Sequence, residues 1–314
     1  VSPAPLSAVK QKRIGVLFGG LSVEREVSIR TGAAVAKALR GLGYQIVEID
    51  VQRDLPARLA QEGIEVAFIA LHGRYGEDGC VQGLLESMFI PYTGSGVLAS
   101  SVGMEKVFAK QIFIAEGIPT PRHVAFRTSA DARAGFASLP FSLPVVVKPS
   151  REGSSVGVHI CKTPEDYERG VDDAAQYAGV LMVEEYIKGR EVQGAVLDDE
   201  ALGAIEIVPA REFYDYEAKY SSGSGTRYLF PAPLPPAQYE RVNQVCLAAH
   251  RALGCSGATR SDVIAGENGE VHLLELNTLP GMTATSLLPK IAAGRGIDFP
   301  ALCERLLLGA SLKA

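Results

Sequence analysis

The chain has 314 residues, 47% of them hydrophobic and 21% charged, which excludes disorder as its main state and fits about two domains, with one or three also possible. It carries 31 Lys+Arg against 36 Asp+Glu, a formal net charge of −5 with no block of like charge. Nucleic acid is therefore not expected as a partner, because phosphate-backbone binders carry a basic face. No apolar run is long enough to span a bilayer, and none near the N-terminus has the form of a signal peptide, so no membrane association is expected.

Residues 1–12 show no periodicity and read as a mobile tail. RIGVLF then reads as a buried strand, followed by the Gly19-Gly20 turn and an amphipathic helix over about 23–42, closed by Gly43. The strand QIVEIDV, the short helix LPARLAQEG and the strand VAFIAL follow, an alternation that implies right-handed crossovers and a parallel sheet. The loop HGRYGEDG, the helix VQGLLESM and PYTGSG complete a first α/β region over residues 1–96.

A second region, residues 97–188, opens with a helix around MEKVFAKQIFIAEG, closed by Gly117 and the breakers Pro119 and Pro121. The strand LPVVVK, the polar loop SREGSSVG and the strand VGVHIC come next. Thr163-Pro164-Glu165-Asp166 starts a helix, with Thr as N-cap and Pro in the first turn, before the strand VLMVEEYI. This pattern predicts an α+β unit with an antiparallel sheet. In the third region, residues 189–314, strands EVQGAVLD and ALGAIEIV are joined at Asp198-Asp199-Glu200. Residues 211–236 are aromatic, rich in Gly, Ser and Pro, and without period; such length inside a compact domain is usually functional or disordered, and a lid that orders over a site is expected here. The helix AQYERVNQVCLAAHRALG carries Tyr239, Val242, Cys246, Ala249 and Leu253 on one stripe, and TRSDVIA and EVHLLELN are strands. The five cysteines are odd in number and lack CxxC spacing, which fits a reducing compartment, most simply the cytoplasm.

Asn268-Gly269 between two apolar runs is a hairpin signal. A two-residue turn there pairs Glu267 with Glu270, sets Asp262 opposite Glu275 and Arg260 opposite Asn277, and puts all four on one face. Opposed carboxylates repel, and an Asp, Glu and Asn oxygen set suits Mg²⁺ or Mn²⁺ completed by phosphates. The bland alternative is a solvated polar face with ordinary ion pairing. Gly153-Ser154-Ser155-Val156-Gly157 matches a hydrolase nucleophile elbow, but the segment leaving it reads as a strand where that elbow needs a helix. Gly94-Ser95-Gly96-Val97-Leu98-Ala99 mimics a dinucleotide fingerprint far from the first βα turn, and no GxxxxGK[ST] occurs. SREGSSVG, just after Lys148, could cradle phosphates on backbone N–H groups, or be a flexible turn with a snorkelling Lys.

GGLSVEREVS, ALHGRYGEDG, PYTGSG, KPSREGSSVG, FYDYEAKY, TRSDV and LLELNTLPGMT occur in that order from Arg13 to near the C-terminus. Together they resemble the D-alanine–D-alanine ligases of the ATP-grasp superfamily. The resemblance implies an ATP-grasp fold of α/β and α+β domains with an N-terminal parallel-sheet, Rossmann-like domain, and ATP between the second and third domains. It implies a cytoplasmic homodimer that joins two D-alanines through an acyl phosphate for peptidoglycan precursors, using Mg²⁺ or Mn²⁺, two ions. Lys106 and Lys148 are implied to contact ATP phosphates, Glu184 and Glu191 the adenine amino group and ribose, and backbone near Tyr186 and Ile187 the adenine edge. Asp262, Glu275 and Asn277 are the implied metal ligands, and Arg260 and the Gly281 N–H the oxyanion stabilisers. Glu24 is implied to hold the ammonium of the first D-alanine, with Ser154 and Tyr220 hydrogen-bonded nearby and His72 a possible neighbour. Lys219, Ser286 and Leu287 are implied to meet the second D-alanine's carboxylate or the transferred phosphate, Lys219 and Ser154 thus also lying at the ATP. Ser261 and Leu276 depart from the residues expected there and should point away from the site. The alternatives are a D-alanine–D-lactate ligase, a serine hydrolase using Ser154, and a non-catalytic nucleotide-binding module.

Overall fold

The computed structural model describes residues 9–153, 155–177, 179–208, 225–283 and 286–313. Apolar runs alternate with an amphipathic helix at the start of the chain: β1 (Arg13–Gly19), α1 (Arg25–Gly41), β2 (Gln45–Val51), α2 (Leu55–Gln61) and β3 (Val66–Ile69). Both β2 and β3 pair in parallel with β1, giving the order β2-β1-β3. All four residues of β3 are buried, as expected of a parallel strand covered on both faces. Helix α1 lies close on β1 because Gly32 faces Phe18; a Cβ there would stand 2.4 Å from the Phe18 Cβ. Helix α3 (Cys80–Ser87) ends this unit.

The single helix expected near Met104 is two, α4 (Val97–Met104) and α5 (Lys106–Ala115), separated by Glu105 in an extended conformation. The sequence reading missed α4, whose apolar and small residues show no 3.6-residue contrast. It also missed β4 (His123–Phe126) and α6 (Ser129–Gly135), which are short and partly exposed. With β5 (Val145–Pro149), β6 (His159–Cys161) and β7 (Leu181–Glu185), β4 forms the expected antiparallel sheet, in the order β4-β7-β5-β6. Helix α7 (Pro164–Ala174) starts at a capping box: Thr163 Oγ1 accepts from Asp166 N and the Asp166 carboxylate from Thr163 N, both at 3.1 Å. It buries Tyr167 and Val171 with Val145 and Val147 of β5.

A five-stranded antiparallel sheet holds β8 (Gly189–Leu197), β9 (Glu200–Val208), β10 (Arg227–Leu229), β11 (Ala258–Gly266) and β12 (Val271–Asn277), in the order β10-β9-β8-β11-β12. Asp198 and Asp199 make the two-residue β8–β9 turn, both at positive φ. Helix α8 (Pro236–Ala252) covers one face through Val242, Val245, Cys246 and Ala249. On the other face Ala195, Leu197, Ile205 and Ala258 share a core with Leu288 and Ile291 of α9 (Leu287–Gly294), Leu302 of α10 (Phe299–Leu308), and Val35 and Leu39 of α1. That core fixes the first unit against the third. Among the described residues no helix is long and apolar enough to cross a membrane.

The β11–β12 hairpin corrects one expectation and keeps its consequence. Gly266 N donates to Glu270 O and Ala265 pairs with Val271, so the loop holds three residues, Glu267, Asn268 and Gly269, not two. Gly269, at φ +88°, makes that turn. Further along, a bulge leaves Leu274 unpaired on β12, and Asp262 stands opposite Glu275 and Arg260 opposite Asn277 after all. The longer turn and the bulge each shift the register by one residue, in opposite senses.

Candidate active site

Two clefts meet at the sheet ends. One, of 370 Å³, lies between the four- and five-stranded sheets, walled by Val146, Lys148 and Ile160 on one side and Ile207, Ile264 and Leu274 on the other. Glu184, Tyr186, Ile187 and Glu191, from the segment running from one sheet into the other, close its back. The second, of 150 Å³, lies between the end of the parallel sheet and the β11–β12 face, lined by Glu24, His72, Arg260, Asn277, Gly281, Ser286 and Leu287. Lys106 and Glu275 line both. Every sequence-predicted site residue within the described residues thus faces one cleft or the other. Ser154, Lys219 and Tyr220 lie outside the described residues, as do residues 211–224 of the expected lid; of that segment, β10 pairs with β9 and residues 230–236 lead into α8.

At the junction Lys106 Nζ stands 3.2 Å from Glu275 Oε2 and donates to Glu152 O at 2.6 Å. Arg260 Nε donates to Asp262 Oδ1 at 3.2 Å, and Asn277 Oδ1 accepts from Leu279 N at 2.8 Å. Asp262 and Glu275 are thus held by cations while facing each other across the ladder. Two carboxylates and a carboxamide oxygen on one face form a hard-donor set that fits Mg²⁺ or Mn²⁺. Among the described residues no three His, Cys, Asp or Glu are grouped to hold a metal, so the carboxamide and phosphate oxygens would have to complete the shell. Ser261 and Leu276, between these residues, are buried; Ser261 lines neither cleft, whereas Leu276, although part of the core beneath α8, also borders the smaller cleft, where it was expected to point away from the site.

Glu184 is 2% exposed and lies between two lysines, its Oε1 2.6 Å from Lys110 Nζ and its Oε2 2.5 Å from Lys148 Nζ. Burial opposes its ionisation, yet the two ammonium groups prevail and hold it below the usual carboxylate range.

In the second cleft Glu24 caps α1 at the mouth of the parallel sheet. The loop at Gly73 approaches it so closely that a Cβ there would stand 2.9 Å from Glu24 Oε2. His72 is buried, its Nε2 3.1 Å from Thr31 Oγ1 and its Nδ1 3.2 Å from Glu77 Oε1, which fixes the ring. Ser286 Oγ accepts from Thr283 N at 3.0 Å and caps α9, placing Leu287 in its first turn.

Sequence reasoning missed Glu77, Gln193 and Lys110. Gln193 pairs with Asp262 across β8 and β11, so it extends the Asp262–Glu275 row by one strand, and its buried Oε1 has no hydrogen-bond partner among the described residues. The β8 alternation put Gln193 on a face, but nothing local told which face is the site. Among the described residues, Gly157 leads into β6, a strand, where a nucleophile elbow needs a helix.

The family model described as the D-ala D-ala ligase C-terminus matches residues 112–308, and that of the N-terminus matches residues 54–95. The chain is 57% identical over 303 residues to the D-alanine–D-alanine ligase of Anaeromyxobacter dehalogenans, covering 96% of this chain and 98% of that one. It is 54% identical over 306 residues to the D-alanine–D-alanine ligase of Trichlorobacter lovleyi, covering 97% of each. Among solved structures it is similar to the D-alanine–D-alanine ligase from Bacillus anthracis complexed with ATP, at TM-score 0.81 and 38% identity, covering 95% of this chain and 96% of that one.

Proposed function

The chain belongs to the D-alanine–D-alanine ligase family, with its ATP-grasp fold and its ATP-dependent joining of two D-alanines through an acyl phosphate, and we propose how its own residues divide that reaction between the joined clefts. The larger cleft takes ATP. Its apolar walls clasp the base, Tyr186 and Ile187 offer backbone groups to the adenine edge, and Glu184 and Glu191 read the amino group and the ribose. Lys148 and Lys106 meet the phosphates, Lys106 at the point where the terminal phosphoryl group passes to the smaller cleft. Asp262, Glu275 and Asn277 hold Mg²⁺ or Mn²⁺, two ions, whose chemistry is to neutralise phosphate charge.

Glu24 holds the ammonium of the first D-alanine, beside the ring of His72. The carboxylate of that D-alanine attacks the terminal phosphorus of ATP, giving D-alanyl phosphate and ADP. The amine of the second D-alanine then attacks the acyl carbon, and phosphate leaves as the C–N bond forms and the amine proton is lost. Arg260 and the Gly281 N–H stand where the oxyanion develops, and Ser286 and Leu287 meet the second carboxylate. Roles for Ser154, Lys219 and Tyr220 rest on the motif resemblance alone. We further read three domains divided near residues 96 and 188, a homodimer, and a cytoplasmic location.

The observation that carries this reading is the sharing of Lys106 and Glu275 by both clefts, which puts the phosphate end of one site against the carboxylate end of the other. The test is phosphate release from ATP with and without D-alanine and Mg²⁺. D-alanine-independent release, or none, would refute it.

A further inference from the structure

The wall of the larger cleft hides a charge that the ligation steps leave unused. Lys110, one turn after Lys106 on α5, is 0% exposed and does not line the cleft. Its Nζ forms the ion pair with Glu184 and donates to Thr120 Oγ1, which in turn donates to Leu273 O at 2.8 Å. Across the same carboxylate stands Lys148, which does line the cleft. His123 lies opposite Glu184 in the β4–β7 pairing, its Nδ1 buried and without a hydrogen-bond partner among the described residues; burial, then the charge of Lys110, favour its neutral form, so it adds no compensating charge.

One buried carboxylate therefore faces two ammonium groups. Were Lys148 alone with Glu184, the two would form a closed neutral pair, and an anion would have to break it to reach Lys148. With Lys110 present, Glu184 keeps a partner whatever Lys148 does, and the surplus positive charge sits on the one lysine of the pair that reaches the cleft. Burial lowers the pKa of Lys110, while Glu184, whose Oε1 stands 2.6 Å from its Nζ, opposes that shift and favours the charged form.

We propose that Lys110 is a positioning residue for nucleotide binding: it is the permanent buried counter-ion of Glu184 and so leaves the charge of Lys148 free for a nucleotide phosphate. The inference rests on reading this cleft as the ATP site.

The experiment compares ATP and adenosine affinity by titration calorimetry, in the presence of Mg²⁺, for wild type, Lys110→Met, the double variant Lys110→Met/Glu184→Met, and Lys148→Met. In Lys110→Met, Lys148 closes onto Glu184, so the ratio of ATP to adenosine affinity should fall about tenfold or more, the size of one lost charge-assisted contact. The D-alanine KM should stay within about twofold. In the double variant both charges are gone, Lys148 is again uncompensated, and the ratio should return to within about threefold of wild type. A lysine that only fills space would change the ratio in neither variant, and that result overturns the proposal. Should Lys110→Met not fold, Lys110→Gln takes its place, with the same expected fall of about tenfold in the ratio, and an unchanged ratio there would refute the proposal. Unchanged ATP affinity in Lys148→Met would refute the reading of the cleft itself. Weakened ATP binding there, with a wild-type ratio in Lys110→Met, would refute the role of Lys110 alone.

Discussion

Glu275→Gln removes one charge from the junction of the clefts while keeping the side-chain volume. Glu275 Oε2 lies 3.2 Å from Lys106 Nζ, an attraction of about 5 kcal/mol at an effective dielectric constant of about 20. Asp262 faces it directly across the ladder; at about 5 Å the two carboxylates repel by about 3 kcal/mol on the same scale. The variant gives up the first and is relieved of the second, a net cost of about 2 kcal/mol. Glu275 has a side chain 29% exposed, and screening reduces that cost to about 1 kcal/mol, a fall of only a few degrees in Tm. Turnover should drop far more, by about 10²–10³, the usual cost of deleting one preorganised group that acts on transition-state charge. The assay pairs phosphate release at saturating ATP, D-alanine and Mg²⁺ with a thermal melt of the same preparation. Turnover above about a tenth of wild type would refute the two-carboxylate site. A Tm fall beyond about 10 °C would show instead that Glu275 holds the fold.

Asp50 is held below the usual carboxylate range chiefly by the hydrogen bond from Arg25, with burial opposing. A depressed pKa gives stability that is complete above the unfolded value of about 3.9 and is lost as pH falls through the folded value. Asp50→Asn should therefore flatten the acid limb of Tm against pH below about pH 4; identical limbs would count against the pair. Gly32→Ala drives a Cβ to 2.4 Å from the Phe18 Cβ and should cost about 1–3 kcal/mol in urea unfolding, whereas a neutral result would mean that α1 can lift off β1. In mixed D-alanine and D-lactate at neutral pH the product should be the dipeptide, and substantial D-lactate ester would favour the other ligase chemistry.

What the sequence determined was local or ordered along the chain. The alternation of strand and helix along β1 to β3 implied a parallel sheet, and β1 and β3 read as apolar runs because a central strand covered on both faces needs no alternation. The Thr163–Asp166 cap and the Asp198-Asp199 turn were legible because each is satisfied by residues a few positions away. The order of the motifs named the chemistry and a set of polar residues that line one cleft or the other, but not most of the lining. What tertiary structure alone decided was which distant groups meet. Lys106 on α5 reaches Glu275 on β12, and Glu184 on β7 lies between Lys110 of α5 and Lys148 of β5, through packing that no local period encodes. The Asp262–Glu275 pairing shows the difference most directly. Sequence reached it through a two-residue turn that does not exist, while the fold reaches it through a longer turn and a bulge at Leu274. A register is a property of two strands and their neighbours. Helix α8 beneath β11 and β12, not the Asn-Gly signal, had to settle which side chains would face the site.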